Sequence, residues 1–318
     1  MKKLKFLLIS VLAATLIGLF WGHNQSVTAQ LPDNNQMSQI AVSSGVSSQL
    51  TIEPYYAVPK AALVASTIIE GPENVILVDS QYVLSEASKV ADKIAATGKN
   101  LQAIWITHAH PDHYLGLEAV LAKFPDTPVY SIPEVVEVAQ QRTANYVQGA
   151  KKNYGDDITS NPVIPEAYSG DSLELDGETI EIINNVGDSP NVAMLYIPSA
   201  KTLIAADTYY LGTNVFMIEA NTPEARQAWM ETIDSIKALN AEMVIPGHKA
   251  PDASLDDSKA GLDNLATYLE TYGNATSTQE TAEEAIAMIK DAYPDYPLSF
   301  LMEMSVKAAY ANPSGMDM

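Results

Sequence analysis

The chain has 318 residues, enough for one large α/β unit or two ordinary domains with a sizeable core. Hydrophobic residues make up 47% and charged ones 18%, a globular composition, and a formal net charge of -21 repels phosphate backbones and so argues against nucleic acid as a partner. There is no cysteine, which excludes disulfide scaffolds, thiolate zinc sites, iron–sulfur clusters and cysteine nucleophiles together and leaves His and carboxylate as the available metal ligands.

Lys2, Lys3 and Lys5 precede an apolar run from Phe6 to Trp21, and Val27-Thr28-Ala29 follows with small residues suited to a cut. This pattern predicts a signal peptide over residues 1–29, hence a secreted or periplasmic protein with no stable membrane insertion after cleavage. The competing reading is a retained anchor, for which the run is somewhat short of the ~20 residues a spanning helix needs. Cleavage would remove His23 and leave only His108, His110, His113 and His248. Residues 30–50, rich in Ser, Gln and Asn, are expected to form a flexible linker, and residues 51–318 the folded domain.

Short β-branched runs at Leu63–Glu70 and Val75–Asp79 flank Gly71-Pro72-Glu73-Asn74, the punctuation of a hairpin turn. Ser85–Thr97 carries Ala87, Val90, Ala91 and Ile94 at helical spacing and stops at Gly98. Leu101–Thr107 reads as a strand, Leu117–Phe124 as a helix, Val129–Ile132 as extended, and Pro133 to about Tyr154 as helical. A second β-rich stretch covers Ser172–Ala206, with turns at Asp176-Gly177 and at Pro198–Lys201, and Asp207 stands at its end. Thr222-Pro223-Glu224 opens a helix to about Leu239, and Met243–Pro246 forms a short strand running into Gly247-His248. A helical extension is expected from about residue 254, with helices over Ser254–Tyr272, Ser277–Ala292 with Glu280 as capping-box partner, and Leu298–Tyr310. Each half therefore runs strands, then alternating strand and helix, and His108, Asp207 and His248 follow predicted strands, where ligands collect in α/β folds.

His108-Ala109-His110-Pro111-Asp112-His113 concentrates three of the remaining histidines and a carboxylate in six residues. In an extended loop His108 and His110 point the same way and can hold one cation, while Asp112 and His113 beyond the bend can hold a second. A solvated polar loop would be the bland alternative. Tyr209, Tyr210, Asn214 and Lys249 are either pocket-lining donors or ordinary packing residues, and Met217, Trp229 and Met230 are expected to fill the core.

The segment Thr107-HAHPDH-Tyr114-Leu115-Gly116 resembles the HxHxDH signature of the metallo-β-lactamase fold superfamily. Ala205-Ala206-Asp207 resembles the family's metal-bridging carboxylate, with Ala206 where Gly is usual, and Val244–His248 resembles its last histidine motif. These matches extend over roughly residues 52–250. The resemblance implies an αββα sandwich, two mixed β-sheets packed face to face with helices outside. It also implies one or two zinc ions per chain, with manganese or iron as other fits. His113, Asp112 and His248 would form the more complete site, Asp207 would bridge to His108 and His110, and Asp112 has a second role in orienting or deprotonating water.

One position departs from the pattern. Where the family has a Gly-His motif, this chain has Gly187-Asp188 followed by Ser189-Pro190-Asn191. Asp188 is in register with the missing histidine and either binds a cation through oxygen or caps an Asx-type turn of its own. The resemblance implies a metal-dependent hydrolase that directs an activated water at an ester, lactone, thioester or similar small molecule. The other readings are a non-enzymatic metal- or ligand-binding protein on the same scaffold and iron-dependent oxidation of sulfur compounds. The oligomeric state is open.

Overall fold

In the computed structural model, which describes residues 49–311, β-branched runs and tight turns build two separate sheets. The first has the order β1 (Thr51–Tyr56), β2 (Ala65–Glu70), β3 (Asn74–Val78), β4 (Asn100–Trp105), β5 (Val129–Ser131) and β6 (Glu166–Ala167). The second runs β11 (Met243–Lys249), β10 (Thr202–Leu211), β9 (Val192–Ile197), β8 (Glu178–Asn185) and β7 (Ser172–Leu175). Both are mixed: β1–β3 pair antiparallel and β3–β6 parallel, while β7–β10 pair antiparallel and β10 runs parallel to β11.

The hairpins follow from their turn residues. Asp176 at φ 51° and Gly177 at φ 86° supply the two left-handed positions of a tight turn whose twist matches β7 and β8. One continuous core contains Ile76, Ile104 and Trp105 of the first sheet together with Ile180, Leu195 and Ile197 of the second. The Trp105 Nε1–H crosses between the sheets to donate to the Ala193 carbonyl at 3.0 Å. β9 and β10 are buried along their whole length, covered by the facing sheet on one side and by helices on the other, so they lack the alternation of a one-sided strand.

The helices are α1 (Leu84–Thr97), the single turn α2 (Pro111–Tyr114), α3 (Leu117–Lys123) and α4 (Pro133–Tyr154), then α5 (Pro223–Ala238), α6 (Ser258–Thr278), α7 (Ala282–Ala292) and α8 (Ser299–Ala311). Val90, Ala91 and Ile94 of α1 join the core shared by the sheets, while Trp229 and Ile233 of α5 pack with Leu265, Ile289 and Met302 over the second sheet. The arrangement is the αββα sandwich.

Three local expectations change. β1 is a strand that the sequence pattern did not signal, because none of its residues is fully buried and Glu53 and Pro54 interrupt the β-branched pattern. α6 runs through Ser277, and the capping box that opens α7 is formed by Thr281 and Glu284, each accepting from the other's backbone N–H. Asp207 lies inside β10 rather than at its end, and β11 likewise continues through His248. The expected signal peptide at 1–29 and nearly all of the expected linker fall outside the described residues.

Irregular pairing explains how an interior strand residue reaches the site. The β10–β11 register shifts between Ile204 and Ala206 and again between Ala206 and Tyr210, and Ala206 is held at φ 44°. That left-handed conformation costs a residue with a Cβ roughly 1–2 kcal/mol, partly offset by the ~0.5–1 kcal/mol of chain entropy that glycine would lose. Ala206→Gly should therefore raise the unfolding free energy by roughly 0.5–1 kcal/mol in urea titrations; a decrease would show that the bulge is not strained.

Candidate metal centre

Each functional side chain leaves the scaffold where a strand ends or bulges. The loop after β4 carries His108 and His110, and Pro111 then starts α2 with the fixed φ and missing N–H suited to a first helical position. That one turn places Asp112 and His113. Asp188 comes from the loop between β8 and β9, Asp207 from the β10 bulge and His248 from β11.

The side chains converge in two groups. His108, His110, Asp188 and Asp207 form one, and Asp112, His113 and His248 form the other; within each, one ligand atom per residue lies within 4.8 Å of the rest. His108 Nε2 is 3.1 Å from His110 Nδ1, and His110 Nδ1 is 3.2 Å from Asp188 Oδ2. In the second group His248 Nε2 is 3.4 Å from Asp112 Oδ2, and His113 Nε2 is 3.9 Å from the same oxygen. Asp207 stands between the groups, with Oδ1 3.3 Å from His113 Nε2 and Oδ2 3.1 Å from His248 Nε2 and 3.7 Å from His108 Nε2.

The second atoms of the rings are tied outward. His113 Nδ1 donates to Asp79 Oδ2 at 2.7 Å, and His248 Nδ1 donates to the Ala62 carbonyl at 2.7 Å. Thr107 gives its hydroxyl proton to Asp79 at 2.8 Å, so its oxygen is left to accept from His108 Nδ1 at 3.1 Å. These partners set the tautomers and leave Nε2 of His108, His113 and His248 facing inward. His110 is turned the other way, with Nδ1 inward and Nε2 3.7 Å from Glu219, a carboxylate that also pairs with Arg142.

Asp188 does not cap its turn. Ser189 does that, its hydroxyl accepting from the Asn191 N–H, while the Asp188 carboxylate faces His108 and His110 and accepts from the Tyr210 hydroxyl at 2.7 Å. The same hydroxyl lies 2.6 Å from Asp207 Oδ2, and the Tyr210 ring stacks on His248 with centroids 4.8 Å apart. Tyr210 is thus part of the site. The neighbours weighed with it serve packing: Tyr209 is buried against α6, Asn214 donates to the Tyr296 and Pro297 carbonyls, and Lys249 donates to the Ala250 and Ala253 carbonyls. Met217 and Trp229 are buried in the core, and Met230 packs against it. Asp79 and Glu219 escaped the sequence reading. The signal for Asp79 was its place after the β3 run; for Glu219, in an irregular loop, there was none.

Close approach explains two glycines. A Cβ on Gly247 would sit 1.8 Å from Asp207 Oδ1, and one on Gly187 would sit 2.6 Å from the Asp207 carbonyl oxygen. Gly247 leaves room for the Asp207 carboxylate and Gly187 for its main chain.

The electrostatics favour positive charge. Burial works to raise Asp207, but His248, His113 and His108 hold it well below the ordinary carboxylate range. Burial raises Asp188 to about 7, with His110 opposing and Asp207 adding to the rise. Burial would lower His113, yet Asp207, Asp79 and Asp112 raise it well above the usual imidazole value. His113 Nε2, Asp188 Oδ1 and Asp207 Oδ1 are buried without a hydrogen-bond partner. Inward-facing imidazole nitrogens and carboxylate oxygens with spare lone pairs suit a divalent cation of borderline hardness.

With this geometry the relationships are consistent. Residues 60–248 match the model of the Metallo-beta-lactamase superfamily, and the chain belongs to that superfamily. A linear primary-alkylsulfatase from a Pseudomonas species is 24% identical over 58% of this chain and 41% of its own length. A hydroxyacylglutathione hydrolase from Haemophilus ducreyi is 23% identical over 75% of this chain and 83% of its own. The chain spans about two fifths of the alkylsulfatase and about half, 51%, of a beta-lactamase-like protein 2 homolog from Caenorhabditis elegans. Among solved structures, a metallo-beta-lactamase family protein from Thermus thermophilus superposes with a TM-score of 0.59 at 18% identity, covering 83% of this chain and 94% of that one. The likeness to that structure shows the shared fold.

Glu219 offers a pH test at the edge of the cluster, against the outer nitrogen of His110. Burial would raise its carboxyl, but His110 and Arg142 hold it at about 2, against an unperturbed 4.5. A carboxyl lowered in this way contributes stability that is present above pH ~4.5 and lost as the pH falls toward 2. Between pH 7 and pH 3 that component amounts to about 2 kcal/mol. Urea unfolding across this range should show Glu219→Gln losing less stability than the wild type, by an amount of that order; parallel losses would contradict the assignment.

Proposed function

We propose that this chain is a two-metal hydrolase acting on an ester, lactone, thioester or similar small molecule, with zinc the first candidate metal and manganese or iron the others. Seven donor side chains in two groups converge on the floor of an open cavity lined by His110, Asp112, Asp188, Asp207 and His248. The hydrolase names of the alkylsulfatase and hydroxyacylglutathione hydrolase relatives support the reaction class.

On this reading His108, His110 and Asp188 would hold one divalent cation, Asp112, His113 and His248 would hold the other, and Asp207, which stands between the groups, would be shared. Divalent cations bound there would supply Lewis acidity toward a carbonyl and lower the pKa of water from ~16 to about 7. The residues do the rest. Asp79, Thr107 and the Ala62 carbonyl fix the imidazole tautomers. Tyr210 aims the Asp188 and Asp207 carboxylates through one hydroxyl. Asp112 has a side chain 17% exposed against 0% and 2% for Asp188 and Asp207, and it is the carboxylate placed to take a proton from water at the cavity floor.

Elemental analysis of purified protein should give two divalent ions per chain, falling to about one in Asp188→Ala. His113→Ala should lower kcat/KM toward activated esters by at least about 100-fold. Wild-type protein with no bound metal, or Asp188→Ala retaining both ions, would refute the two-site assignment.

We also propose that the protein is exported. The Lys-rich start and the apolar run from Phe6 to Trp21 support a secreted or periplasmic enzyme. N-terminal sequencing of material from a secreting host should begin at Gln30; recovery of Met1 would count against cleavage.

A further inference from the structure

The walls of the same cavity carry a second message. The space is about 320 Å³, and above its floor it is lined by Tyr82, Tyr146, Phe216, Phe300, Leu301 and Met304. Among the described residues its lining includes neither lysine nor arginine. The one carboxylate on the wall, Glu219, is already paired with Arg142. At the floor, Asp188 stands where the family resemblance implies an imidazole, so the site holds a carboxylate in place of a neutral ring. Beyond the ions that the floor would hold, an anionic head group would therefore find no cationic side chain in the lining to pair with, whereas an uncharged one needs none.

The C-terminal helix shows that the apolar wall is built rather than incidental. α8 is apolar on two faces. Met302 and Val306 are fully buried against the second sheet's helices, so that face is accounted for. The other face carries Phe300, Leu301 and Met304; Phe300 is 50% and Met304 43% exposed, and all three line the cavity. The frame behind them is tied down. The Met217 N–H donates to Ser305 Oγ at 2.8 Å, and Asn214 donates to the carbonyls of Tyr296 and Pro297 just before the helix. A wall held in this way is preformed and spends little binding energy on ordering itself.

Resting on the hydrolase reading above, we propose that the substrate is an uncharged carboxylic ester, lactone or thioester with an aliphatic chain seated among Tyr82, Tyr146, Phe216, Phe300 and Met304, its carbonyl at the His/Asp floor. Hydrolysis then breaks the acyl C–O or C–S bond, water supplies the new C–O bond and the proton that leaves with the alcohol or thiol, and no redox partner is needed. The alkylsulfatase relative differs in its head group, and sulfate is what this lining disfavours.

The test pairs turnover with binding on the metal-loaded full chain. p-Nitrophenyl esters from acetate to octanoate report turnover; N-alkylacetamides of increasing chain length and octyl sulfate report binding by calorimetry. Affinity for the uncharged amides and kcat/KM for the esters should each rise roughly fourfold per added methylene until the cavity is full, the fold-change equivalent of ~0.8 kcal/mol per buried CH₂. Octyl sulfate should bind at least tenfold more weakly than N-octylacetamide. Phe300→Asp and Met304→Asp, at half-exposed positions, should keep wild-type circular dichroism and metal content and flatten both chain-length slopes. Slopes flat in the wild type, or octyl sulfate bound as tightly as the amide, would overturn the proposal. So would a dimer-to-monomer change in sedimentation for Phe300→Asp with the slopes intact, which would make the patch a self-association surface. Chain-length-dependent amide binding with no ester turnover would sink the hydrolase reading while supporting the seat for the chain.

Discussion

The structure turns on the burial of Asp207. Its carboxylate is sealed between the two ligand groups, with His248 and Tyr210 on one oxygen and His113 3.3 Å from the other. A lone carboxylate taken so far out of water would be costly, and it is sustained by the three imidazoles and the Tyr210 hydroxyl that face it. Much of the nearby architecture follows. The β10 bulge with its left-handed Ala206 brings the side chain out of a buried strand, and Gly187 and Gly247 lack side chains because Asp207 occupies the space. Strain and small residues cluster here because the geometry of one carboxylate has to be held.

Around that centre the chain organises imidazoles by their outer nitrogens. Asp79, Thr107 and the Ala62 carbonyl each hold one ring, and all three come from the first sheet or its adjoining loops, while Asp207 and His248 belong to the second. The antiparallel bridge between Val64 and His248 joins the two sheets beside the site. The centre is therefore a property of the sandwich rather than of either half. Asp188 adds a third carboxylate where the resemblance implies a neutral ring, and the Tyr210 hydroxyl lies between it and Asp207, 2.7 and 2.6 Å from the two carboxylates.

The superfamily match ends at residue 248, and the side chains that shape the upper cavity at Phe300, Leu301 and Met304 lie beyond it. Chemistry and selectivity are thus carried by different stretches of chain. The ligand-bearing loops are held by sheet ends, whereas the wall comes from a C-terminal helix keyed to the 214–219 loop through Asn214 and Ser305. Such a division lets the wall change without disturbing the ligands.

Much of this was legible in the sequence. His108, His110, Asp112 and His113 fall within six residues, so local spacing alone placed them together; helical spacing located α1 and a β-branched run located β3, each to within a residue. Asp207 and His248 were readable because each follows an apolar β run. What local pattern could not decide was contact across the sheets. Whether Asp188 faced its own turn or His110 depended on the fold of a loop 75 or more residues downstream of the histidines, and both conformations satisfy the same local rules. Asp79 looked like any strand-end acid until its neighbour His113 was in place. Glu219 and Phe300 sit in segments whose sequences fix neither direction nor partner. Hydrogen bonds and burial between residues distant in sequence are set by tertiary packing, so the ligand types were written in the chain, while their outer partners and the wall above them were decided by how the two sheets and the last helix close together.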